Sequence, residues 1–91
     1  MSAQEIAKFQ QQLLDVRKVL KELEDQRKMV QEKIEEHPDQ AKWVDLMVVV
    51  KDAVESTTMV ENILEKLVEG LEKAHDDLQK MEQPAEKADP Q

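Results

Sequence analysis

Apolar residues recur along the first part of the chain at alternating steps of three and four positions. The step is interrupted once, where Arg27 stands at a position that the pattern assigns to an apolar residue. The apolar positions are Ile6, Phe9, Leu13, Val16, Leu20, Leu23, Val30 and Ile34. This spacing puts the side chains on one side of an α-helix, in the seven-residue repeat of coiled coils. Ser2 followed by Glu5 has the spacing of a capping box, so the pattern predicts a first helix over residues 2–36.

A second series of apolar positions begins after Pro38, which cannot continue a helical hydrogen-bond ladder. The series keeps the steps of three and four without interruption, and its positions are Trp43, Leu46, Val50, Ala53, Thr57, Val60, Leu64, Leu67, Leu71, Ala74, Leu78 and Met81. It predicts a turn over residues 37–40 and a second helix over residues 41–82. Ser and Thr are poor helix formers, so a break at residues 55–58 that gives three helices is the alternative.

The segment WVDLMVVVKDAV, residues 43–54, also has the apolar content of a buried β-strand. A helix is favoured because the segment keeps the phase of the later repeat and because no turn residues follow it. The fold class is therefore predicted to be all-α, with two long amphipathic helices in an antiparallel coiled-coil hairpin over residues 1–82. Residues 83–91 are polar and contain two prolines, which predicts a disordered acidic tail.

A hairpin folded at Pro38 brings together positions whose numbers sum to 76 or 77. Leu46 then faces Val30, and Arg27 lies among apolar side chains. Two interpretations of Arg27 remain open. It forms a register-setting polar core by pairing with Asp52 across the hairpin, or its stem packs while its guanidinium reaches water.

The second helix carries more apolar residues than one partner helix can cover, which is typical of larger bundles. The predicted protein interface combines this surplus with Trp43 at the turn and with residues that extend past the start of the first helix. Its residues are Trp43, Met47, Val48, Val49, Val54, Ile63, Val68, Ala74, Leu78 and Met81. The simplest partner is a second copy, giving a homodimeric four-helix bundle, and another helical protein is the alternative.

Charge narrows the class of partner. The net charge is −8, which disfavours direct binding to nucleic acids or to anionic membranes. Residues 46–91 hold 5 Lys or Arg against 11 Asp or Glu, whereas residues 1–45 hold 8 against 10. An alternative function is therefore an acidic inhibitor that mimics nucleic-acid charge and blocks a basic groove on its partner.

The sequence has few residues of the kinds that form catalytic or metal-binding sites. There is no cysteine, and His37 and His75 each stand as a lone imidazole among carboxylates, so no metal, cofactor or catalytic site is predicted. The expected function is a non-enzymatic interaction module, such as an adaptor, an assembly chaperone or a scaffold subunit. A purely structural coiled-coil subunit of a larger particle is a further alternative. Because no secretory signal or membrane span is visible, a cytoplasmic location is expected.

Overall fold

The computed structural model describes residues 2–82, which form two α-helices in an antiparallel hairpin. Helix α1 spans Ala3–Glu36 and helix α2 spans Ala41–Glu82, and the two pack side by side. No β-strand occurs within residues 2–82. The predicted all-α hairpin is confirmed, and the strand interpretation of residues 43–54 is wrong. The tail predicted for residues 83–91 lies outside the described part of the chain.

Helix α1 begins with the predicted capping box. The Ser2 hydroxyl accepts a hydrogen bond of 3.2 Å from the Glu5 amide, and the Glu5 carboxylate accepts one of 3.0 Å from the Ser2 amide. These bonds satisfy two of the backbone donors that a helix start leaves without partners. The bond from the Ser2 amide also holds the pKa of Glu5 below its ordinary value, because it stabilises the ionised carboxylate.

The turn between the helices is closed by local hydrogen bonds. The His37 amide donates to the Lys33 carbonyl at 2.9 Å, and the Gln40 amide donates to the His37 carbonyl at 3.0 Å. The Trp43 indole nitrogen donates to the Gln40 side-chain oxygen at 2.9 Å. The polar atom of Trp43 is thus satisfied at the turn while the rest of the ring packs against buried residues.

Helix α2 runs without a break through residues 55–58, so the three-helix alternative is wrong. The Thr58 hydroxyl donates a 2.8 Å hydrogen bond to the Val54 carbonyl, one turn earlier in the same helix. A threonine that bonds in this way is accommodated inside a helix and does not end it. The hydroxyl-rich segment therefore continues the helix.

The side of α1 that faces α2 is the side that its apolar pattern predicts. Ile6, Leu13 and Val30 are buried, and the remaining apolar positions of the series are half-buried. Val30 is the most deeply covered, with 1% of its surface exposed. It forms a buried cluster with Met47 and Val50 of α2, close to the turn.

The side of α2 that faces α1 differs from the predicted one. The inward residues are Trp43, Met47, Val50, Val54, Thr57, Glu61, Leu64, Val68, Leu71 and His75. Every second position is displaced by one residue, which corresponds to a rotation of α2 about its axis by about 50°. Leu46, Val60 and Leu67 were expected to face α1 and are exposed instead. Conversely, Met47 and Val68 were expected outside the contact and are each only 6% exposed.

The packing side of α2 differs from the predicted one because α2 is apolar over a wide part of its circumference. Either rotation buries mainly apolar side chains, although the observed inward series also contains Thr57, Glu61 and His75. Periodicity alone therefore does not determine the rotation. The observed rotation packs Met47 against Val30 and brings Glu61 to the edge of α1. There Arg17 donates from Nε to Glu61 at 3.2 Å and from Nη2 to Glu65 at 2.7 Å, which satisfies the one carboxylate among the inward residues.

The buried cluster supports a first prediction. Val30→Ala is expected to lower the free energy of unfolding by about 2 kcal/mol, because it removes two buried carbon atoms and leaves a cavity. Val48→Ala makes the same change at an exposed position and should change that free energy by less than about 0.5 kcal/mol. Urea unfolding followed by circular dichroism measures both, and equal effects would contradict the assigned core.

The capping box supports a second prediction, on pH. Because the pKa of Glu5 is lowered in the folded chain, its contribution is present above the unfolded value of about 4.3 and is lost as the pH falls through the folded value. NMR titration should give Glu5 a pKa below the value of about 4.3 that an unperturbed glutamate has. Ser2→Pro lacks both the amide hydrogen and the hydroxyl that bond the Glu5 carboxylate. It should raise the Glu5 pKa towards the unperturbed value, and an unchanged Glu5 pKa in that variant would contradict the assignment.

Candidate protein-binding surface

One long side of the hairpin is closed by polar groups. Arg17 bridges from α1 to Glu61 and Glu65 of α2. Nearer the chain start, the Gln10 amide donates to the Glu72 carboxylate at 2.6 Å. Since these bonds cross between the helices along the same edge, this side presents a hydrated and charged surface to any partner.

The opposite side is an open apolar groove between the helices. Val16 and Val19 form its α1 wall, and Thr57 and Val60 line it from α2. It continues towards Ile63. Val19 and Arg17 lie two residues apart and therefore project to opposite sides of α1, which explains why one edge of the hairpin is apolar and the other charged.

The α2 wall of this groove belongs to a longer exposed surface, which we name the outer stripe. Its nine positions follow one another at steps of three and four, and none carries a charge. They are Leu46, Val49, Ala53, Ser56, Val60, Ile63, Leu67, Gly70 and Ala74. The most exposed large side chains are Val49 at 62% and Ile63 at 63%. The outer stripe thus has the periodicity of a second coiled-coil contact on a helix that already has one.

The residues of the predicted interface differ in exposure and fall into an exposed, a partly buried and a buried group. Val49, Ile63 and Ala74 lie on the outer stripe, Val48 is exposed on another side of α2, and Leu78 and Met81 are exposed near its C-terminal end. Two further residues, Trp43 and Val54, pack partly against the buried cluster.

Met47 and Val68 form the third group, since both are buried between the helices. The predicted interface did not include Leu46, Val60 and Leu67, which are the other large side chains of the outer stripe. The absence of charge along a whole second series of positions is the signal in the sequence that identifies them.

Arg27 does not pair with Asp52 within the hairpin. Its Nη2 lies 3.3 Å from a carboxylate oxygen of Glu24 on the same helix, and its side chain is 39% exposed. The helical period places Asp52 on the side of α2 that faces away from α1, which is the physical reason why the pair does not form. The guanidinium instead reaches the edge of the hairpin, as the second interpretation expects.

Within residues 2–82, no group of three or more His, Cys, Asp or Glu side chains could hold a metal ion. His37 is exposed in the turn. His75 is half-buried, and its Nε2 lies 3.0 Å from the Gln79 amide nitrogen. In the same part of the chain, neither helix combines the length and the apolar character needed to cross a membrane.

Comparison with protein families, curated proteins and solved structures finds no match to the chain. The molecule is a helical hairpin with one polar side and one exposed apolar side.

Gly70 supports a third prediction. A Cβ built at this position meets nothing within 4 Å, and glycine inside a helix costs about 1 kcal/mol relative to alanine. Gly70→Ala should therefore raise the free energy of unfolding of the dilute chain by about that amount. The reverse change on the same stripe, Ala74→Gly, should lower it by a similar amount. Thermal unfolding measured at low micromolar concentration tests both. A loss of stability in Gly70→Ala would mean that the hairpin itself requires the glycine.

Proposed function

We propose that the chain is a non-enzymatic protein–protein interaction module whose outer stripe binds another α-helix. The observation that carries this proposal is the outer stripe itself, an uncharged series of nine positions on the side of α2 that α1 leaves open. An adaptor, an assembly chaperone and a scaffold subunit all act through surfaces of this kind.

The energetics favour a partner. Val49, Ile63 and Val60 are largely exposed, and complete burial of each such side chain is worth about 1.5–3 kcal/mol. Several of them together can offset the translational and rotational freedom lost on association, which costs about 4–15 kcal/mol. Their steps of three and four match the contact that a second helix makes when it packs alongside the first.

The alternative of an acidic inhibitor receives less support from the structure. Arg17 pairs with Glu61 and Glu65, so two carboxylates of the acidic half are partly neutralised within the chain. A structural subunit of a larger particle would use the outer stripe in the same way and differs from the proposal only in the permanence of the assembly.

A matched pair of variants tests the proposed surface. Ile63→Glu introduces a charge on the outer stripe, and Asn62→Glu introduces the same side chain at the preceding exposed position, outside the stripe. Burying an unpaired carboxylate in an apolar contact is costly. Ile63→Glu is therefore expected to weaken association at least tenfold, while Asn62→Glu stays near the wild-type value.

Two measurements on these variants are required. Light scattering coupled to size-exclusion chromatography gives the oligomeric mass of the pure protein, and affinity purification from the native source, read by mass spectrometry, gives its helical partners. Circular dichroism should show equal helicity for both variants. A wild-type chain that neither self-associates nor retains a partner sensitive to Ile63→Glu would refute the proposal.

A further inference from the structure

We infer that the outer stripe binds the outer stripe of a second copy of the chain, with the two α2 helices antiparallel and a twofold axis passing beside Met59. This inference rests on the proposed function and names its partner. It is carried by a second feature of α2, independent of the apolar residues, that specifies both the direction and the register of the contact.

That feature is a column of exposed residues that we name the flanking column. Its members recur every seven residues, so they keep a constant position relative to the contact with α1, and they are Asp45, Asp52, Met59, Lys66 and Lys73. By the helical period the flanking column borders the outer stripe on the side that faces away from α1. Two acidic residues precede Met59 and two basic residues follow it.

This order of charges suits an antiparallel partner of identical sequence. When Met59 of one copy lies beside Met59 of the other, Asp52 of each copy faces Lys66 of the other copy. Asp45 of each copy faces Lys73 of the other in the same way. Residues that flank the apolar contact on the same side of each helix are neighbours in antiparallel coiled coils. A parallel pair aligned in register would instead place identical charges at matching heights.

These charge pairs cannot form within one chain. Asp52 and Lys66 are separated by fourteen positions of a single continuous helix, which is a distance of about 21 Å along its axis. Asp52 and Lys66 of one chain therefore cannot pair with each other, whereas those of two antiparallel copies can.

The apolar residues independently fit the same register. In this register the residue numbers of each facing pair in the flanking column add up to 118, as they do for Asp52 and Lys66. The residue numbers of facing pairs within the outer stripe then add up to 116. The layers formed include Leu46 with Gly70, Ala53 with Ile63, and Ser56 with Val60. Each of these three places a small residue opposite a larger one, which lets the two helices interdigitate. The fourth layer pairs Val49 with Leu67, two larger apolar side chains. Gly70, which no contact inside the hairpin requires, then provides room for Leu46 of the other copy.

Charge reversal tests the register. Asp52→Lys alone and Lys66→Asp alone each turn two attractive contacts of the dimer into repulsive ones. Each is expected to raise the dissociation constant about tenfold, since exposed pairs contribute modestly. An equimolar mixture of the two variants restores attraction at both contacts and should form heterodimers with near wild-type affinity. The double variant D52K/K66D should also recover. Glu55→Lys is the control, because it reverses a charge on another side of α2.

Cross-linking tests the position of the axis. The chain has no cysteine, so Met59→Cys introduces a single thiol, and a short bismaleimide should join two copies in high yield. Asp45→Cys should give almost no product, because its two copies lie about 42 Å apart in the antiparallel register. Sedimentation equilibrium gives the dissociation constants for all variants, and circular dichroism confirms that each one is folded.

The outcomes distinguish this inference from the proposed function. A wild-type chain that stays monomeric at several hundred micromolar overturns the inference. The proposed function would then stand only if a different helical partner is lost in Ile63→Glu. A dimer whose affinity does not respond to Asp52→Lys or Lys66→Asp overturns the antiparallel register. A dimer that responds to each reversal but does not recover in the mixture overturns the pairing of these residues.

Discussion

The organisation of the hairpin depends on how α2 is rotated against α1. Helix α2 offers more apolar side chains around its circumference than one neighbouring helix can cover, so any rotation hides one part and leaves another in water. In the observed rotation Met47 and Val50 pack against Val30, and Glu61 meets Arg17. The apolar packing and the ion pair act together, because turning α2 to bury Leu46 would move Glu61 away from its partner.

This rotation gives the two long sides of the molecule different properties. On one side Arg17 and Gln10 hold carboxylates of α2 and keep the edge of the contact hydrated. On the other side Val19 and Val60 leave the edge open and apolar. A hairpin of two amphipathic helices can have the same character on both long sides, whereas this one has one charged side and one apolar side. Its exposed side follows the same seven-residue period as its buried one, so both contacts favour the same left-handed supercoil of the helices.

The sequence predicts the fold well because the decisive signals are local. The capping box at Ser2, the stop at Pro38 and the long period of three and four specify where each helix begins and ends. The packing side of α1 follows as well, since α1 has one clear apolar series. The packing side of α2 does not follow, because Leu46 and Met47 are equally plausible as buried residues. That choice is made by contacts distant in sequence. The candidate surface was predicted in part for the same reason: Val49 and Ile63 are exposed under either rotation, whereas Leu46 and Met47 exchange places.

The buried cluster near the turn also bears on the order in which the chain folds. Val30 and Met47 are separated by only seventeen positions, so their contact closes a short loop. Ile6, at the open end of the hairpin, meets residues of α2 more than sixty positions away. Loop closure costs more entropy as the loop lengthens, so pairing that starts beside the turn and extends outwards follows the least costly path. The same gradient makes the open end the first part to separate under native conditions.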